Sequence, residues 1–109
     1  MKKMQQLLRQ LGIHGTYKGY HYLLATMELL MEDQKNLLLY SKMIFPTVAR
    51  TYHSTPSRIE RDIRTAIEHC WNGPGREKLQ EIAPDHLYKQ PSTGEFIDIV
   101  YWHIRFMEE

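Results

Sequence analysis

The chain is poor in several things at once, and each shortage closes off a class of protein. Among 109 residues there is one cysteine, Cys70, so no internal disulfide can form, and the usage fits a reducing cytoplasm. No apolar run approaches the roughly 18 residues that a membrane span needs. The opening MKKMQQLLRQLG carries two lysines but no continuous apolar core and no small-residue cleavage site, so it is not a secretory signal. Strand-like alternation never persists, and internal repeats and low-complexity tracts are missing. Excess charge is missing too. With a formal net charge of +1, bulk electrostatics announce no nucleic-acid partner, and only the placement of charges can argue for one.

What is present is an ordinary globular composition, 42% hydrophobic and 25% charged, in a length suited to one domain over 1–109. Helical periodicity runs almost end to end. Met4, Leu7, Leu8 and Leu11 share one face of a first helix that Gly12 closes. Tyr20, Leu23, Leu24, Met27, Leu30 and Met31 form the stripe of a second, from Lys18 to Glu32. Asp33-Gln34 breaks it, and Leu37–Leu39 with Tyr40, Met43 and Ile44 suggest a third. Pro46 cannot extend that helix but suits the first turn of another, Pro46–Tyr52, burying Val48, Ala49 and Tyr52.

The stretch PTVARTYHSTPSRIERDIRTAIEHCW, Pro46–Trp71, organises the chain. It reads as two helices joined by a tight turn. His53 occupies the turn, where a left-handed backbone is expected and histidine is tolerated. Thr55 is placed to cap the next helix, and Pro56 takes its first position. From there Ile59, Ile63, Ala66, Ile67, Cys70 and Trp71 recur on one apolar face. Arg58, Arg61 and Thr65 cluster opposite, with Arg64 on the flank. An arginine-bearing face over a buried one suits a DNA major groove, with Ser57, Arg58 and Arg61 in the turns that enter it. Beyond it, Gly73-Pro74-Gly75 stops the helix, and a short helix Arg76–Ile82 ends at Pro84. Ser92 and Glu95 form a capping box before a last helix that buries Phe96, Ile97, Val100, Tyr101 and Ile104. The fold class is all-α.

These residues resemble the C-terminal DNA-binding effector domain of the stage-zero sporulation protein A family, the sporulation master response regulators. The resemblance runs from about Leu11 to Arg105. It is densest at Ser57-Arg58-Ile59-Glu60-Arg61, Ile63-Arg64, Ala66-Ile67-Glu68 and Trp71, and extends to Lys18-Gly19-Tyr20, Phe45-Pro46, Ala49, Pro91 and Glu95-Phe96-Ile97. It implies a six-helix fold with a helix-turn-helix, binding a short promoter box in double-stranded DNA, often as tandem copies. It also implies contact with RNA polymerase sigma subunits to activate, or obstruction of polymerase to repress. Arg58, Glu60, Arg61 and Arg64 match the family's recognition-helix contacts, and Ser57 a phosphate-side contact. The chain departs from the family pattern in three ways. No receiver domain precedes Met1, Thr65 stands where a histidine is usual, and Asp62 replaces a small apolar residue. The expectation is constitutive binding with an altered box preference.

The physical roles follow from side-chain chemistry. Arginine donates two hydrogen bonds to guanine O6 and N7, so Arg58 and Arg61 are the candidate base readers. The alternative is a solvated face with Arg61 and Arg64 paired to carboxylates such as Glu68. Glu60 either accepts from a cytosine amino group or orients Arg64 one turn on, the second being favoured by its position near the apolar face. Thr65 is a candidate for a thymine methyl. Ser57, Lys42 and Arg50 are candidate phosphate clamps.

Other chemistries lack support. His14, His21, His53, His69, His86 and His103 are dispersed without zinc-motif spacing, and Cys70 lies on the apolar stripe. Neither a metal nor a cofactor is expected. Nucleophile elbows, paired carboxylates in apolar settings and phosphate loops are all missing, so an enzyme is not expected. The competing function is a protein-interaction module that keeps the fold, has lost DNA affinity, and sequesters a sigma subunit or a full-length sporulation regulator.

Overall fold

The computed structural model describes residues 2–33 and 40–108, and among them all regular structure is helical. Helix α1 spans Lys2–Gln10, α2 Lys18–Glu32, α3 Phe45–Thr51, α4 Pro56–Asn72, α5 Gly75–Ile82 and α6 Thr93–Glu108, with a π-helical turn at Tyr40–Ile44 ahead of α3.

α1 buries Met4, Leu7 and Leu8. Its end is fixed by Gly12, whose φ of 79° is the left-handed conformation that glycine adopts without steric cost. The Gly12 amide donates to the Arg9 carbonyl at 3.0 Å and the Ile13 amide to Leu8 at 2.8 Å. This is the Schellman pairing, with its hydrophobic contact supplied by the fully buried Leu8 and Ile13. Lys3 Nζ donates to the Met107 carbonyl at 3.0 Å, tying α1 to the end of α6.

α2 is apolar over a wider arc than its stripe foretold. Tyr20, Leu23, Met27 and Leu30 are buried, Leu24 and Met31 half-buried, and Tyr22 and Thr26 are buried as well. The reason is that α1, α3 and α4 all pack on it. Asp33, extended at φ −150°, ends it as expected.

Two expectations are corrected in the next stretch. Leu37–Leu39, and with them the start of the anticipated third helix, lie outside the described residues. The rest of that segment, Tyr40–Ile44, is a π-helical turn that runs without a break into α3. Pro46 sits in the first turn of α3, where its missing N–H has no partner to lose. It therefore marks a change of helical type, not a gap between helices. Tyr52, expected in the core, is 42% exposed. It falls at the C-cap of α3, beyond the last helical residue, and meets Tyr22 edge-on, with ring centroids 5.1 Å apart.

The C-terminal third frames α4 from behind. Ser92 and Glu95 form the capping box: the Ser92 amide donates to Glu95 Oε1 at 3.0 Å and the Glu95 amide to Ser92 Oγ at 3.2 Å. The Ser92 amide, and after it the Ser92 hydroxyl, hold the Glu95 carboxyl below its usual pKa of 4.5, and Lys89 adds to the effect. Phe96, Ile97, Val100, Tyr101 and Ile104 face the core, as their spacing predicted. Between α5 and α6 the Gln80 side chain pins the chain at Leu87, accepting from its amide at 2.9 Å and donating to its carbonyl at 2.6 Å.

Candidate nucleic-acid interface

The turn between α3 and α4 repeats the device that ends α1, with histidine in glycine's place. His53 has φ 53°. Its amide donates to the Arg50 carbonyl at 3.4 Å, and the Ser54 amide to Ala49 at 2.8 Å, again the Schellman pairing. Ala49 is buried at this corner. Thr55 is extended, and its Oγ1 accepts from the Arg58 amide at 3.3 Å, which satisfies one of the four free N–H groups at the start of α4. Sequence alone therefore sets both the sharpness of the turn and the register of α4.

α4 divides cleanly into two faces. Ile59, Ile63, Ala66, Ile67 and Cys70 are buried, and Trp71 closes the row beneath the Arg76 guanidinium, 3.8 Å from its ring centroid. Ser57, Arg58, Arg61, Arg64 and Thr65 are all exposed, and Glu60 and Asp62 are half-buried on the flanks.

The charged groups differ in how firmly they are held. Arg64 Nη1 donates to Glu60 Oε1 at 2.6 Å, one turn back, the orienting pair that the sequence favoured, with Glu68 as its alternative partner. The side chains of this pair remain 52% and 42% exposed, so it orients Arg64 more than it stabilises the fold, at about 0.3–0.5 kcal/mol. Arg61 Nε lies 3.5 Å from Asp62 Oδ1, a long contact with its own neighbour. Arg58 makes no side-chain hydrogen bond or ion pair among the described residues. The Thr65 hydroxyl is occupied, donating to the Arg61 carbonyl at 3.0 Å.

The six α4 candidates are thus brought together on one exposed surface. Lys42 and Arg50 lie outside α4. Both are exposed on the preceding elements, and Arg50 Nη2 donates to Thr47 Oγ1 at 3.3 Å.

One neighbour of this surface was missed. The segment before α2 lies along α4: Tyr17 stacks on His69 with centroids 4.6 Å apart and planes 11° from parallel. Gly19 presses against the α4 backbone at Asp62. An open groove of about 530 Å³ separates this segment from α4 and is lined in part by His14, Tyr17, Thr65, His69 and Asn72. A glycine in the second position of an apolar helix hinted at a close approach, but nothing in the spacing said to which helix.

Cys70 is sealed in the core, where burial pushes its thiol up to about 11; it packs as a small hydrophobe. Among the described residues no group of three or more His, Cys, Asp or Glu is placed to hold a metal ion. None of the described helices is long and apolar enough to cross a membrane.

A short α3, a left-handed corner and a longer helix with one arginine-bearing face constitute a helix-turn-helix, the architecture by which many regulators meet DNA. The chain belongs to the family of the sporulation initiation factor Spo0A C terminal, whose model matches residues 4–104, from α1 into α6. That family is one of DNA-binding effector domains in the transcriptional regulation of sporulation, not one of enzymes.

Proposed function

We propose that this protein is a sequence-specific transcriptional regulator that lays α4 in the major groove of double-stranded DNA. The observation that carries the reading is the placement of Arg58 and Arg61. Both project from the exposed face, in the first turns, of a helix whose other face is buried. A helix about 10–12 Å across fits a groove of about 12 Å. Arg58, unpaired among the described residues, and Arg61, loosely held, are the groups that read guanines. Arg64 is pre-oriented by Glu60 for a third contact, and Thr65, its hydroxyl occupied, offers its methyl to thymine. Ser57, Lys42 and Arg50 take phosphates, positioning the helix without reading sequence. By the same reading the DNA-bound protein meets an RNA polymerase sigma subunit and occupies tandem sites as adjacent copies.

Selection of preferred sequences from a random duplex pool, followed by gel shifts with Arg58→Ala and Arg61→Ala, tests the reading. Each substitution is expected to cost about 1–3 kcal/mol of discrimination, roughly 5- to 150-fold, at its own base pair. Unchanged binding by both variants would remove direct readout.

The ion pairs Arg61–Asp62 and Arg64–Glu60 favour a second reading, a protein-interaction module without DNA affinity. Salt separates the two. DNA affinity falls with a log–log slope of about −0.9 per phosphate neutralised, whereas capture of a protein through an apolar surface does not.

A further inference from the structure

The segment ahead of α2 has no role in the proposed function, yet the fold places it against the DNA-facing helix. We infer that the loop His14–Lys18 is a second DNA-contacting strip, gripping the sugar-phosphate backbone beside α4 through Thr16 and Lys18. This rests on the proposal that α4 occupies the major groove.

The loop is held rigidly for a surface connection. At one end it leaves the Gly12 corner of α1. In its middle, His21 Nε2 donates to the Gly15 carbonyl at 2.7 Å. Near its other end Tyr17 is stacked on His69 of α4. Two residues later Gly19 brings α2 against α4 so closely that a Cβ there would stand 2.5 Å from the Asp62 carbonyl oxygen. Thr16, Tyr17, Lys18 and Gly19 therefore face Asp62, Thr65, Ala66 and His69 across a shallow cleft of about 190 Å³.

Those α4 residues lie along one flank, and at about 100° per residue Arg58 and Thr65 share its outer edge. A helix with its side chains nearly fills the major groove. An element lying alongside that helix is consequently outside the groove, at its lip, where the phosphates run. Thr16 and Lys18 are both exposed, and neither side chain has a hydrogen-bond or ion-pair partner among the described residues. A hydroxyl and an ammonium free at that position are the groups that bind phosphate oxygens. The acidic groups nearby do not cancel them. Asp62 lies beside Arg61, and Glu68 lines the neighbouring groove with His14 and Tyr17, not the cleft that Thr16 and Lys18 line.

Fluorescence anisotropy with the whole chain, on the preferred duplex and on an unrelated one, between 50 and 200 mM salt, tests the inference with Lys18→Gln, Thr16→Val and the control Lys89→Gln. Lys18→Gln is expected to make the salt slope shallower by about 0.9 and to weaken both duplexes alike, about eightfold at 0.1 M salt. Thr16→Val should weaken both without changing the slope, and Lys89→Gln should do neither. Unfolding midpoints matching the wild type show that the fold is intact. If Lys18→Gln leaves the slope unchanged while Arg58→Ala still lowers discrimination, the loop inference is overturned and the α4 reading stands. A loss confined to the preferred duplex would also overturn it, since phosphates carry no sequence. Wild-type protein without salt-dependent binding would sink both.

Discussion

Replacing Gly19 by alanine tests how closely α2 must lie on α4. At that position an added Cβ would stand 2.5 Å from the Asp62 carbonyl oxygen and 2.8 Å from Ala66 Cβ. Neither neighbour is the yielding tip of a long side chain. One is main chain inside α4, and the other is fixed to it. The two helices must therefore separate, at an overpacking cost of about 1–3 kcal/mol. Against this stands the better helix propensity of alanine, at most about 1 kcal/mol and less in a first turn. The balance is a net loss of about 1–2 kcal/mol. With an unfolding entropy of roughly 2.1 cal/mol/K per residue over 109 residues, this lowers Tm by about 4–9 °C. Urea unfolding followed by far-UV circular dichroism should show a lower midpoint at unchanged slope. Because the same contact seats the His14–Lys18 loop, non-specific DNA affinity should fall with it. A variant as stable as the wild type, or more so, would refute the reasoning, since propensity would then outweigh a contact too loose to matter.

His53 supplies a second test: His53→Gly should be neutral or slightly stabilising, while His53→Val should cost about 1–2 kcal/mol by denaturant unfolding, because φ 53° is open to glycine and hostile to a β-branched residue. The Ser92–Glu95 capping box supplies a third. Ser92→Ala should destabilise by about 1 kcal/mol at neutral pH. The Glu95 carboxyl is held below 4.5 in the folded chain, so its contribution is present above that value and is lost as pH falls through the lower folded pKa. The gap between Glu95→Gln and wild type should thus narrow in acid, read from unfolding midpoints at pH 7, 4 and 3.

Much of this was legible because local rules and tertiary structure agree. Thr55, Pro56 and the 3.6-residue recurrence from Ile59 to Trp71 set the start, length and buried face of α4 without help from any distant residue. The same holds for Gly12 and for Ser92 with Glu95. What sequence misjudged depended on neighbours. Tyr22 and Thr26 fall outside the stripe named for α2, and they are buried because three helices pack on it. Tyr52 has the right hydrophobicity for the core but falls one residue beyond α3, where no partner covers it. Pro46 read as a break, yet a helix can change type across a proline whose N–H would be unused. At the candidate interface, the i, i+4 rule allowed Arg64 both Glu60 and Glu68, and the place of Glu60 near the apolar face pointed to the pair that forms. The stacking of Tyr17 on His69 joins residues more than fifty positions apart and left no trace in the spacing.

The near-neutral charge of α4 bears on how recognition would be divided. Arg58, Arg61 and Arg64 are matched along the helix by Glu60, Asp62 and Glu68. A helix with no net charge gains little from releasing counterions when it enters the groove, so it adds little to sequence-independent affinity. Under the proposed function its arginines would still discriminate, because a bidentate bond to guanine depends on the geometry of one base pair. General attraction must then come from groups beside the helix, such as Lys42, Arg50, Ser57 and the Thr16–Lys18 strip. Such a division keeps competing genomic sites weak while leaving the difference between right and wrong boxes intact, and it is that ratio, multiplied by site number, that decides occupancy. The carboxylates of α4 are consistent with DNA recognition on this account. Glu60 would keep Arg64 from wandering among phosphates, and the acidic flank would penalise any register in which the arginines find backbone instead of bases.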